Sequence, residues 1–192
     1  FKLRGAYNRM SQLTTDELQR GVIASSAGNH AQGVALSARR LNCRAVIVMP
    51  STTPEVKVRA VRALGGEVVL HGETYDECSA EARRRCSAEG LTYIHPFDDP
   101  EVIAGQGTIG MEIASQCAEL GATPDHVISC CGGGGLIAGT SLAVTSQIPG
   151  AKVWAAEPEG FDDTIRSLES GEILSVDPAN RSICDLSLIH IS

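Results

Sequence analysis

The 192 residues read as an open α/β protein built on parallel strands. Three features carry that expectation. Short β-rich runs alternate with longer helical stretches along the chain. Ala45–Met49 (AVIVM) is an unbroken apolar run, as a parallel strand buried on both faces requires. Two turns of small residues, around Ser26 and Gly132, each join a strand to a helix.

In chain order, Val22–Ser25 is a short strand and Asn29–Leu41 an Ala-rich helix. Ala45–Met49 is the next strand, and Pro50 ends it. Pro54 sits near the start of a helix reaching about Leu64, where Gly65-Gly66 stops it. Glu67–His71 is a strand, Thr74–Glu89 a helix ended by Gly90, and Leu91–Ile94 a strand. Pro100 precedes a helix reaching about Leu120. Val127–Cys131 is a strand followed by a glycine run, Leu136–Gln147 a helix, and Lys152–Ala156 a strand. This order implies right-handed crossovers in open sheets. No repeat, low-complexity stretch or coiled coil interrupts it.

Composition narrows the function classes. Aromatic residues are 4% of the chain while Gly and Ala are abundant, which suits backbone-lined small-molecule sites better than a greasy interface. A net charge of −7 argues against a nucleic-acid surface. The one basic cluster, Arg83-Arg84-Arg85, has the apolar companions Tyr75, Cys78, Ala82 and Cys86 at helical spacing and reads as a solvated helix face. Cys43, Cys78, Cys86, Cys117, Cys130, Cys131 and Cys184 form no Cys-x-x-Cys pair and read as small buried hydrophobes in a reducing compartment. No apolar run reaches membrane-spanning length and no signal peptide opens the chain, so a cytoplasmic protein is expected. The chain starts at Phe1 in mid-pattern, and Leu186–Ser192 (LSLIHIS) reads as a translated adapter end, a non-native tail.

Three segments have the residue types that chemistry needs. Gly132-Gly133-Gly134-Gly135, between strand and helix, lets backbone N–H groups approach a phosphate at a helix N-terminus. Gly133, Gly135 and Ala138 also satisfy G-x-G-x-x-A, with Glu157 about twenty residues on, so a nicotinamide-dependent oxidoreductase is a competitor of a different class. Ser25–His30 (SSAGNH) is a second such turn, suited to a carboxylate, with the Asn29 amide beside it; the alternative is an ordinary Ser/Asn helix cap. Lys2 lies between apolar neighbours and is either a Schiff-base lysine or an exposed structural one. His30, His71, His95 and His126 have no metal-ligand spacing and read mostly as loop or strand-end residues.

FKLRGAY, SSAGNHAQG and GGGGLIAG, in this order and at these separations, together resemble the fold-type II pyridoxal-phosphate enzymes (tryptophan synthase β-like), within them the threonine dehydratase and serine racemase group. IVMP, KVRAVRALGGEV and VIAGQGTIGMEI extend the resemblance from Phe1 to about Asp185. It implies a two-domain fold, incomplete at both ends: residues 1–20 and 99–185 in a large domain, residues 21–98 in a small mobile one, and the active site in the cleft between them. It implies pyridoxal 5'-phosphate as cofactor, carried by Lys2 as a Schiff base. The phosphate would lie on Gly132, Gly133, Gly134 and Gly135 with Leu136, and Asn29 would face the ring 3′-oxygen. Ser26, Gly28, Asn29 and His30 match the loop that grips the substrate carboxylate.

The expected reaction is α,β-elimination of water from L-threonine, and also from L-serine, giving a 2-oxo acid and ammonia in isoleucine biosynthesis. Serine racemase and threo-3-hydroxyaspartate ammonia-lyase are the nearest alternatives, and a non-catalytic metabolite binder is a third. Racemases resembling the chain carry a serine where Ala27 stands here, and alanine has no proton to give on that ring face. In some members an E-P-x-x-x-x-D segment binds Mg²⁺ or Ca²⁺; Glu157, the Phe161 carbonyl and Asp163 match it. The alternative there is a helix start capped by Asp162 or Asp163. The group facing the pyridine nitrogen is expected beyond Asp185, so this chain alone is expected to be inactive or poorly folded. A homo-oligomer of two or four chains is expected, with a small amino acid as substrate and no nucleic-acid or membrane partner.

Overall fold

The computed structural model describes residues 1–177 and residue 180. Cys184 and the LSLIHIS segment lie outside the described residues. Contacts divide the chain into two compact units, residues 1–105 and residues 106 onward.

The first unit contains α1 (Lys2–Ser11), α2 (Thr15–Arg20), β1 (Val22–Ser25), α3 (Asn29–Arg40), β2 (Ala45–Met49), α4 (Glu55–Ala63), β3 (Glu67–Leu70), α5 (Tyr75–Glu89) and β4 (Thr92–Tyr93). Its strands form one parallel sheet in the order β3-β2-β1-β4. Every residue of β1 and β2 is buried, which their apolar runs predict. Alternation along the strands sends the side chains to two different cores. Val22, Ala24, Ala45, Ile47 and Met49 pack with Ala31, Val34, Ala35 and Ala38 of α3, Val58 and Val61 of α4, and Ala6 and Met10 of α1. Ile23, Val46 and Val48 pack on the other face with Cys78 and Ala82 of α5. The arginine cluster lies on the solvated side of α5, where Arg84 and Arg85 both pair with Glu81.

The second unit contains most of α6 (Pro100–Glu119), then β5 (His126–Cys130), α7 (Gly135–Gln147), β6 (Lys152–Ala156) and α8 (Asp163–Ser170). β5 and β6 pair in parallel. Val127, Val144 and Ile148 form a small core with Ile113 and Ala114 of α6.

The strands and the later helices fall where the sequence predicts, within a residue or two. Two helices were not foreseen. α2 starts with a capping box, in which Thr14 and Glu17 satisfy each other's backbone N–H groups. Thr14-x-x-Glu17 was the available signal, the same one that starts α5 at Thr74 and Glu77. α1 buries Ala6 and Met10, and Leu3, Ala6, Tyr7 and Met10 at i, i+3, i+4 and i+7 were its available signal. The cysteines follow the expected pattern in part. Cys78 and Cys131 are buried, whereas Cys130 is exposed because it ends β5 with its side chain on the uncovered face. None of the described cysteines is in a disulfide.

α1 is held at backbone distance from two helices. A Cβ at Gly33 of α3 would lie 3.2 Å from the Leu3 backbone, and one at Gly105 of α6 would lie 2.6 Å from the Arg4 carbonyl oxygen. Both obstacles are main chain, so neither can swing away. Gly105→Ala is therefore expected to lower the stability of the full-length protein by ~1–3 kcal/mol in denaturant unfolding. A variant as stable as its parent would show that α1 has room to shift.

Candidate active site

In the first unit, the site grows from the C-terminal ends of β1 and β4, the end of a parallel sheet at which ligands bind. β1 runs into Ser25-Ser26-Ala27-Gly28, and Gly28 is the N-cap of α3. No side chain caps that helix, contrary to an ordinary Ser/Asn cap. Instead the Ser26 hydroxyl accepts the Gly28 N–H at 3.2 Å, which tightens the turn and leaves the first amides of α3 to an anion. Ser26 and Gly28 are half-buried and Asn29 is exposed. His30, on the next step of the helix, is buried at 3% exposure.

Lys2 opens α1, in the same unit. Its amine donates to the Pro96 carbonyl at 2.6 Å, and the rings of Phe1 and Phe97 lie 5.4 Å and 5.8 Å from the nitrogen. Burial lowers its pKa from 10.5 to about 8. A neutral amine is the form that attacks a carbonyl or takes a proton, and this environment supplies it near neutral pH.

The acceptor is itself fixed. Ile94 donates its N–H to the Ile23 carbonyl at 2.9 Å, which continues the β4–β1 ladder. His95 Nδ1 accepts from the Phe97 and Asp98 amides at 3.3 Å and 2.7 Å, closing a tight turn, and its ring meets the Phe97 ring edge-on. Asp99 caps α6 through the Glu101 and Val102 amides and pairs with Arg9 of α1 at 3.1 Å. The stretch Ile94-His95-Pro96-Phe97 was not singled out from sequence as part of a site; His95 was read there as an ordinary loop histidine. A Pro between two aromatic rings, just ahead of a capped helix, was the only hint.

In the second unit, β5 leads through Cys131 into the four glycines. Cys131 donates its N–H to the Ala156 carbonyl of β6 at 2.9 Å, so the loop starts from a fixed point. Gly134 is the N-cap of α7 with φ of 78°, a left-handed conformation that glycine adopts without strain. A Cβ there would meet nothing within 4 Å, and no side chain caps α7. Gly132, Gly133, Gly135 and Leu136 flank Gly134 at this uncapped helix N-terminus, where open space lies beside Gly134, an arrangement that fits a phosphate.

Glu157, Phe161 and Asp163 lie at the start of α8. Both Glu157 oxygens accept backbone N–H groups, from Thr164 and Ile165, each at 3.1 Å. The Glu157 side chain thus caps α8, a role that the alternative reading gave to Asp162 or Asp163; Asp162 holds the N-cap position without a side-chain bond to the helix amides and pairs with Arg166 at 3.1 Å. The same bonds occupy the carboxylate that a dinucleotide ribose would need. Among the described residues, no group of three or more His, Cys, Asp or Glu is placed to hold a metal ion. A cation here would have to share Glu157 with the two amides.

The family model described as pyridoxal-phosphate dependent enzyme matches residues 1–188. A biosynthetic, chloroplastic threonine dehydratase from Arabidopsis thaliana is 54% identical over 92% of this chain and 29% of its own length. The structure of the processed form of threonine deaminase isoform 2 from Solanum lycopersicum aligns with a TM-score of 0.87 and 52% identity, over 92% of this chain and 48% of that one. Maize serine racemase aligns with a TM-score of 0.89 and 34% identity, over 97% and 55%. The chain therefore spans under a third of that Arabidopsis relative and about half of each solved chain. The parallel, helix-flanked sheets are those of the fold-type II threonine deaminase structures.

The low pKa of Lys2 has a direct readout. In the full-length protein without cofactor, its reaction with an amine reagent, followed by peptide mass, is expected to have a midpoint near pH 8. Between 8 and 10.5 the folded state binds fewer protons here than the unfolded one, so this lysine favours folding more as pH rises through that window. A midpoint at the ordinary lysine value would remove the burial on which the site depends.

Proposed function

The chain belongs to the family of pyridoxal-phosphate dependent enzymes, and on that premise we propose that its full-length protein converts L-threonine, and also L-serine, to a 2-oxo acid and ammonia. The observation that carries the proposal is the Lys2 amine, kept partly neutral by burial at the C-terminal edge of a parallel sheet. The names of the threonine dehydratase relatives support the choice of substrate.

Lys2 is the residue that would hold the cofactor's carbonyl carbon, and Gly132 to Gly135 with Leu136 would hold its phosphate. When bound, the cofactor supplies an electron sink for the pair left behind when Cα loses its proton. Lys2 has two tasks. Its amine would carry the cofactor, and as a free neutral amine it would take the Cα proton as general base. A lysine at its ordinary pKa would be protonated and unfit for the second task at neutral pH. The uncapped start of α3, with Ser26, Gly28, Asn29 and His30, would orient the substrate carboxylate, and with it the Cα–H bond that must face Lys2. The β-hydroxyl would leave with a proton as water, balancing the proton taken from Cα, and the resulting enamine would hydrolyse with one water to 2-oxo acid and ammonia.

Elimination is favoured over racemisation by Ala27. Its methyl group has no proton to deliver to the second ring face, so the proton that leaves through Lys2 is not returned with inversion.

We also infer a homo-oligomer of two or four chains, a cytoplasmic location and a place in isoleucine biosynthesis. Among the described residues no helix is long and apolar enough to cross a membrane. Mg²⁺ or Ca²⁺ at Glu157, the Phe161 carbonyl and Asp163 would have a stabilising role without direct chemistry. Chelation is then expected to lower Tm by a few degrees, and unchanged Tm and rate would dismiss the ion.

The reaction is tested on the completed reading frame with pyridoxal phosphate, following 2-oxo acid from L-threonine. Lys2→Ala is expected to lower the rate by ~10³-fold or more. Product formation at the parental rate by that variant, or none by the parent, would overturn the assignment.

A further inference from the structure

The turn proposed to orient the substrate carboxylate ends at His30, and the proposed chemistry gives the His30 imidazole ring itself no task. The His30 ring is buried, and its Nε2 lies 2.9 Å from the Ile94 carbonyl oxygen. A carbonyl only accepts, so Nε2 carries the hydrogen. Nδ1 is then the unprotonated nitrogen, and it has no hydrogen-bond partner. The titratable groups that face the ring are Lys2, the first residue of α1, and His95, on the turn after β4. Burial, opposed by the Ile94 bond and aided by those two groups, lowers the His30 pKa to about 3. The ring therefore stays neutral across the working range of an enzyme, with one tautomer fixed.

The Ile94 carbonyl is the last fixed point before the turn that serves Lys2. Its own N–H is tied to β1 at Ile23. Two residues on, the Pro96 carbonyl receives the Lys2 amine, and the Phe97 ring lies beside it. Nothing in the β-ladder holds the Ile94 carbonyl, so the His30 imidazole does. A carbonyl left buried without a partner keeps its full desolvation penalty, which a shift of the turn toward water would relieve.

We infer that His30 is a positioning residue: its Nε2–H fixes the Ile94 carbonyl, and thereby the Pro96 carbonyl and Phe97 ring that orient and cover the Lys2 amine. It acts on Lys2 through this turn and not by proton transfer. The inference rests on the proposed role of Lys2, and deepens it by naming what holds that amine in place.

The test compares two amide side chains in the full-length protein. Gln carries its NH₂ about as far from the backbone as Nε2, whereas Asn ends one carbon short. In cofactor-free protein, H30Q is expected to keep the Lys2 reaction midpoint near 8. H30N is expected to raise it by about one pH unit, since a displaced turn lets water reach the amine. With cofactor and L-threonine, H30N is expected to lose about a hundred-fold in kcat with KM little changed. In the unsubstituted protein, nitrogen-15 NMR is expected to show a neutral Nε2–H imidazole at His30 down to pH 5, a measurement that holds whether or not either variant folds. An Nδ1–H tautomer or an imidazolium, a parental Lys2 midpoint in H30N, or an H30Q midpoint displaced as far as that of H30N would overturn the inference. The Lys2 midpoint is read without cofactor or substrate. A split between H30Q and H30N with no threonine turnover by the parent would keep the positioning role and dismiss the reaction; turnover without the split would do the reverse.

Discussion

An amine withdrawn from water, with one carbonyl to point at, is the condition on which the first unit is organised. Lys2 meets the Pro96 oxygen at 2.6 Å, and that contact needs two things at once. α1 must lie against α3 and α6 at main-chain distance, which Gly33 and Gly105 allow by having no Cβ. The turn after β4 must also stay put, which the His95, Ile94 and Asp99 hydrogen bonds secure. Desolvation alone then lowers the Lys2 pKa; no neighbouring carboxylate is needed, and one would work against it by favouring the ammonium.

The anion-binding parts follow a different physical rule. Both use a strand that ends, a turn of small residues, and a helix whose first N–H groups take no side-chain cap. The contrast with α2, α5 and α8 is informative. Those helices have their first amides satisfied, by Thr14 and Glu17, by Thr74 and Glu77, and by Glu157. Capping takes up donors that a ligand would need, whereas α3 and α7 keep first-turn donors that suit a carboxylate or a phosphate.

Much of this was legible from residue order. Strand positions followed from apolar runs because a strand buried on both faces tolerates little else, and the two glycine- and serine-rich turns marked themselves by composition. Lys2, Asn29 and the four glycines came from their joint order. α1 escaped notice although Leu3, Ala6, Tyr7 and Met10 recur at helical spacing, because the segment was read for its lysine and not for its period. Glu157 was read as an ion ligand, with the cap of the following helix left to Asp162 or Asp163; the structure places both Glu157 oxygens on backbone amides, a use that its distance of six residues from the helix start hid.

The sequence by itself determined the alternation of elements, the parallel sheets, the family, and the residue types offered to a cofactor, because each depends on short-range pattern or on motifs a few residues long. Only the tertiary structure decided which groups stand around Lys2. Ile94, Pro96 and Phe97 are more than ninety positions away in sequence, and His30 twenty-eight, and two of the decisive contacts are made by main-chain carbonyls. Every residue has a carbonyl, so no residue type announces which one will be left facing an amine. That is settled by where a strand ends and what packs over it.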